Sequence, residues 1–238
     1  QRTQCPFMRF GSQGEKCRVH QPKLPGRACQ PKRLQGLDVR VLVTGTDGYI
    51  GCRLAPFLAA RQHVVSGLDT GFYRDGWLYT DIEAPELPIT TQRKDLRALQ
   101  ARDFEDMEAV LHLAELSNDP LGENNPDVTY EINHRGSVRL AELAKAAGVR
   151  RFVYASSCSV YGVGSGEFLD ETSAVNPQTA YARCKVLVER DLARLTDERF
   201  CVVFLRNSTA YGPSPRMRFD IVLNDLCARA HPQRQRAV

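Results

Sequence analysis

The sequence predicts an α/β protein built on a doubly wound parallel sheet. Three observations carry that expectation. Short apolar, β-branched runs alternate with amphipathic stretches between residues 39 and 205. A glycine-rich turn joins the first apolar run to the first amphipathic stretch, and an aspartate closes the second run. Strands that alternate with helices imply βαβ units, whose crossovers cover both faces of a parallel sheet.

Each element follows from its own residues. V-R-V-L-V at 39–43 is the first strand, and the stretch at 49–61 after the glycine turn is the first helix. Residues 63–68 form a second strand. A looser region separates it from a strand at 109–113. Residues 125–147 form a long helix that Gly148 ends. A strand at 151–155, a helix at 177–195 and a strand at 200–205 complete the alternation. After Phe219, D-I-V-L-N-D-L-C-A-R-A has a short helical pattern, and H-P-Q-R-Q-R-A-V follows it without one. The chain carries no repeat at solenoid periods.

With 42% hydrophobic and 25% charged residues in 238, the chain has the material for one large domain or two small ones. Its apolar runs, such as 41–43 and 202–205, fall far short of the roughly 18 residues of a membrane span. No charged start leads into an apolar run, as a signal peptide would require. The expectation is a cytoplasmic protein without membrane association. Charge is uneven: residues 1–36 hold eight Lys or Arg and one acid, whereas 37–238 hold 24 Lys or Arg and 27 acids. A nucleic-acid reading would rest on that basic segment alone. Its only aromatics are Phe7 and Phe10, too few for base stacking, so no nucleic-acid partner is expected. Cys5, Cys17 and Cys29 recur there with His20 nearby, but without a C-x-x-C pair; the segment is read as unstructured and without metal.

T-G-T-D-G-Y-I-G at 44–51 sits between a strand and a helix. Gly45 allows the tight turn, Gly48 admits a pyrophosphate close to the backbone, and Gly51 lets the helix pack on the strand. The helix start then offers N–H groups and positive dipole to phosphates. Asp69 lies 18 positions after Gly51, at the end of the second strand, where a carboxylate takes the ribose hydroxyls of NAD. The acid also repels the 2′-phosphate of NADP, with Arg74 close enough to oppose it. The fold is therefore Rossmann-like and the expected cofactor is NAD.

At T-G-x-x-G-x-x-G the chain resembles the extended short-chain dehydrogenase/reductase family, mostly nucleotide-sugar epimerases and dehydratases. The resemblance runs from about residue 39 to 226 and includes H-L-A at 112–114, S-S-C-S-V-Y-G at 156–162, Y-A-R-C-K at 181–185 and L-R-N-S-T-A-Y-G-P at 205–213. It implies cofactor contacts from Gly45, Asp47, Gly48, Tyr49, Ile50, Gly51, Asp69, Asp95, Leu96, Leu113, Ala114 and Asn133, as well as from Tyr181 and Lys185. It implies a nucleotide-sugar substrate held near Ser117, Ser157, Cys158 and Thr209, with Ser157 aligning the reacting oxygen. Asn133 either supports this network or is a polar contact of its helix.

The chemistry explains why Tyr181 and Lys185 belong together. Hydride removal from a sugar carbon requires loss of the hydroxyl proton, and a free phenol with a pKa of about 10 is a poor base at neutral pH. A lysine one turn further on the same helical face favours the phenolate. Two residues narrow the activity. Sugar 4,6-dehydratases carry Asp and Glu after the catalytic hydroxyl, whereas Cys158 and Ser159 stand here, which argues against dehydration. Epimerases often carry Asn where Thr209 stands. Glu115 replaces the small residue that usually follows H-L-A; it either weakens cofactor binding or points to solvent.

The leading expectation is an NAD-dependent nucleotide-sugar epimerase that works through a transient keto-sugar. A nucleotide-sugar reductase or dehydrogenase, and a non-catalytic dinucleotide-binding module, are the alternatives. The predicted division is a basic segment at 1–36, an NAD-binding domain at 37–213, and at 214–238 the start of a truncated substrate lobe with an aberrant tail. The smaller C-terminal lobe is thus expected to be largely missing, leaving NAD binding with little turnover. Helices at 125–147 and 177–195 offer a second copy a four-helix homodimer interface.

Overall fold

A computed structural model describes residues 38–79, 89–117, 119–163 and 168–234. The segment read as unstructured at 1–36, with its cysteines, lies outside the described residues, as do 235–238.

Six strands form one parallel sheet: β1 (Arg40–Thr44), β2 (Val64–Asp69), β3 (Thr90–Arg93), β4 (Ala109–His112), β5 (Arg151–Ser157) and β6 (Cys201–Asn207). Their order is β3-β2-β1-β4-β5-β6. The chain winds outward from β1 in one direction and from β4 in the other. A crevice therefore opens at the carboxyl ends of β1 and β4, where an α/β sheet takes its ligands.

The inner strands are buried on both faces, as helices above and below require. Val41 and Val43 face one way and pack with Ala55 and Val65. Leu42 faces the other way, into the larger core of Phe104, Val110, Leu140, Phe152, Tyr154 and Leu192. Each such side chain contributes about 1.5–3 kcal/mol when fully buried. α1 (Gly51–Ala59) connects β1 to β2. α2 (Asp119–Asn124) and α3 (Pro126–Thr129) follow β4. α3 runs through a π-helical stretch, Tyr130–Gly136, into α4 (Ser137–Ala146). Gly148, at φ +88°, ends this run: its N–H bonds Lys145 O and the Val149 N–H bonds Ala144 O. α5 (Ala180–Leu195) lies between β5 and β6, and α6 (Val222–Arg234) follows β6.

Three differences from the sequence reading have physical causes. β3 falls in the stretch read as loose, because T-T-Q-R is a polar edge strand held by backbone pairing to β2. α5 starts at Ala180 rather than 177, because the Thr179 hydroxyl accepts from Ala182 N and fixes the cap there. α6 continues to Arg234, past the end of its apolar pattern. Among the described residues no helix is long and apolar enough to cross a membrane.

Candidate active site

The glycine turn lies at the mouth of the crevice. Gly45 adopts φ +79° and its N–H bonds Leu68 O at 2.7 Å, tying the turn to β2. A Cβ on Gly51 would stand 1.9 Å from Gly45 O, so α1 packs this close only through glycine. Among the described residues no carbonyl accepts from the N–H groups of Tyr49, Ile50 and Gly51. Narrow glycine walls and free amides at a helix start fit a dinucleotide pyrophosphate.

Beside the turn, the carboxylate of Asp69 accepts from Asp47 N at 2.9 Å and from Gly71 N at 2.8 Å. Two carboxylate oxygens offer about four acceptor positions, so two remain for ribose hydroxyls. The Asp47 side chain is buried and paired with Arg93 from β3, and its carbonyl accepts from Trp77 Nε1. Arg74 stacks on the Trp77 ring. Asp95 receives its bonds from Arg97, which hold its carboxyl below the usual range. Leu96 is buried against Gly136 of the π-helical stretch.

Across the crevice, Tyr181 occupies the first turn of α5 and Lys185 the next. Lys185 Nζ lies 5.2 Å from the Tyr181 ring centre and 4.5 Å from that of Tyr154. It donates to Ala155 O, two residues before Ser157 at the end of β5. The Ser157 hydroxyl accepts from Ser159 N at 3.1 Å, which anchors the turn that carries exposed Cys158. Asn133 is fully buried and grips the backbone of Leu116 with both amide atoms, at 2.8 and 2.9 Å. It thereby fixes the strand exit that carries Leu113, Ala114 and Ser117.

Glu115 on that exit turns inward rather than to solvent, contrary to one of its two expected placements. Its side chain is 3% exposed and forms an ion pair with Lys185, itself 5% exposed. Glu115 Oε1 accepts from the Tyr154 hydroxyl at 2.6 Å and from Ser137 Oγ at 3.5 Å. Ser137 in turn bonds His112 Nε2, and His112 Nδ1 bonds Thr44 Oγ1, both at 2.8 Å. Burial, aided by the Lys185 charge, pushes His112 down to about 3. Burial and Glu115 raise the Tyr154 phenol and push the Cys184 thiol up to about 12.

The segment after β6 folds back over the turn. The Tyr49 hydroxyl donates to Gly212 O at 2.7 Å and accepts from Asn224 Nδ2 at 3.2 Å. Ser214 Oγ donates to Tyr49 O at 2.8 Å. Arg218 reaches Ser117 with two 3.3 Å bonds and pairs with Asp220, whose carboxylate raises the guanidinium pKa. Thr209 stands exposed and makes no hydrogen bond among the described residues. Glu115, Tyr154, Arg218 and Asn224 are site neighbours that sequence reading did not assign. Only Glu115, as the unusual residue after H-L-A, had drawn notice.

Comparison with known proteins matches residues 41–236 to the model of the NAD dependent epimerase/dehydratase family. UDP-glucose 4-epimerase of Mycolicibacterium smegmatis is 36% identical over 156 residues, covering 63% of this chain and 49% of its own. ADP-L-glycero-D-manno-heptose-6-epimerase of Pseudomonas aeruginosa is 31% identical over 176 residues, 73% of this chain and 52% of its own. The chain thus spans about half the length of these curated relatives. Among solved structures, the NAD-dependent NDP-hexosamine 5,6-dehydratase TunA superposes with a TM-score of 0.70 at 29% identity, covering 80% of this chain and 60% of that one. MoeE5 in complex with UDP-glucose and NAD gives 0.66 at 29% identity, with 79% and 59% covered.

Proposed function

Because this chain belongs to the NAD dependent epimerase/dehydratase family, we propose that it is the NAD-binding part of a cytoplasmic nucleotide-sugar epimerase. The observation that supports this reading is the Glu115–Lys185 ion pair, which joins the helix of Tyr181 to the strand exit whose Ala114 backbone abuts Gly45. Gly45, Gly48 and Gly51 hold the pyrophosphate, and Asp69 holds the adenosine ribose. Ser157 orients the reacting sugar hydroxyl, and Tyr181 removes its proton. The Lys185 ammonium stabilises the phenolate that acts as this base, and the phenolate becomes a neutral phenol as it takes the proton. NAD, held by the glycine turn and Asp69, would supply the hydride acceptor for the sugar carbon and the hydride donor for the keto sugar. With Cys158 and Ser159 in place of two carboxyls, the site lacks the acid–base pair for water elimination. The helical run 126–146 and α5, joined by the 2.8 Å His134–Asp191 contact, offer a second copy a four-helix interface.

Tyr181→Phe tests the reading, since only the phenol oxygen is lost. NAD binding by calorimetry should stay within about threefold of the parent. Hydride transfer from a UDP-sugar, followed as NADH absorbance, should fall by roughly a hundredfold or more. Unchanged hydride transfer would remove Tyr181 from the mechanism.

A further inference from the structure

The ion pair under the crevice has a role that the hydride-transfer chemistry alone does not require. Lys185 is buried, and burial disfavours an ammonium strongly enough to make a lone buried lysine neutral near physiological pH. A neutral amine would not stabilise a phenolate at Tyr181. Every ionisable group that faces Lys185 bears on the outcome. From β4 and its exit come His112 and Glu115, from β5 comes Tyr154, and α5 itself supplies Tyr181 and Cys184. Of these only Glu115 carries a carboxyl group, and it forms the ion pair with Lys185. Its Oε1 is fixed by the Tyr154 hydroxyl, and its Oε2 meets Lys185.

We propose that Glu115 is a positioning residue that keeps the buried Lys185 charged and aimed between Ala155 O and Tyr181. Glu115 acts only through Lys185. The buried thiol and the Tyr154 phenol beside it are neutral neighbours: Cys184 is pushed up to about 12 and Tyr154 is raised, first by burial and then by the Glu115 charge. His112 is likewise held neutral, first by burial and then by the Lys185 charge. Glu115 and Lys185 thus form the ion pair of this cluster, and each is the other's counter-ion.

The inference rests on the reading of Tyr181 and Lys185 as the hydride-transfer site, but its test needs neither cofactor nor substrate. Carbon-13 NMR follows the Lys185 Cε resonance of the whole chain through a pH titration, assigned by its disappearance in Lys185→Arg. In Glu115→Gln, which keeps the size but removes the charge and turns one acceptor into a donor, Lys185 should lose its proton roughly two or more pH units below the parent chain. An unchanged titration overturns the proposal. Should Glu115→Gln fail to fold, the double variant Glu115→Gln/Lys185→Met decides. Recovery of folding supports the counter-ion role, because no uncompensated charge remains; a double variant no more stable than the single one overturns it. Failure of either measurement leaves the reading of Tyr181 standing. Conversely, full hydride transfer in Tyr181→Phe would sink that reading and leave the titration untouched.

Discussion

Asp69 serves two neighbours at once. Its oxygens hold the backbone N–H groups of Asp47 and Gly71, and about two acceptor positions are left over. Asp69→Asn converts one acceptor to a donor and removes the charge. NAD affinity should fall about tenfold or more, as a hydrogen bond to a charged acceptor is worth about 1.5–3 kcal/mol. NADP should lose less, because the repulsion of its 2′-phosphate disappears with the charge. Calorimetry with both cofactors checks this, and equal losses would remove Asp69 from cofactor discrimination. The place of Asp69 at the end of the second strand was legible, because an apolar run and a glycine turn before it each leave a local signal. The partner of Asp47 was not legible, because Arg93 stands on the strand whose polar sequence gave no signal. Nor could the sequence decide which way Glu115 turns, since that depends on Tyr154 and Lys185, 39 residues and more away.

Glycines mark where elements touch most closely, and two of them separate a rigid contact from a soft one. At Gly51 an added Cβ meets backbone, 1.9 Å from Gly45 O and 2.7 Å from Gly45 C. At Gly136 it meets the Leu96 Cδ1 end at 2.1 Å, which can rotate away. Gly51→Ala should therefore cost about 3 kcal/mol, the upper range for overpacking, and abolish NAD binding. Gly136→Ala should stay within about 1 kcal/mol, helped by the better helix propensity of alanine. Urea midpoints of the two variants test the contrast; equal losses would mean that the turn yields as readily as a side chain. The glycine turn, the inner strands and the helix faces were readable, because buried elements have strong apolar periods. The π-helical stretch at 130–136 was not, since a change from i+4 to i+5 bonding leaves the surrounding pattern almost unaltered.

At the scale of the whole molecule, His112 is a buried group that the fold makes sensitive to acid. His112 is fully buried between Thr44 and Ser137, with a folded pKa of about 3 against an ordinary value of 6.5. Between those values the unfolded chain binds a proton that the folded one refuses. The contribution of His112 is complete above pH 6.5 and is lost as pH falls toward 3, with a slope of about 1.4 kcal/mol per pH unit. Urea unfolding from pH 8 to 4 should show this decline, while the His112 ring protons in NMR stay unshifted down to pH 5. A His112 that titrates near 6.5 in the folded chain would contradict it. At this scale the alternation of strands and helices forecast the sheet and its crevice, but not the way the chain closes back on itself. The Tyr49–Gly212 bond joins residues 163 positions apart, and no local pattern announces it. That bond, with those of Ser214 and Asn224, makes the floor of the cofactor turn and the root of α6 a single buckle. A molecule that stiffens Tyr49 from one side must stiffen α6 from the other, and the coupling runs equally in reverse.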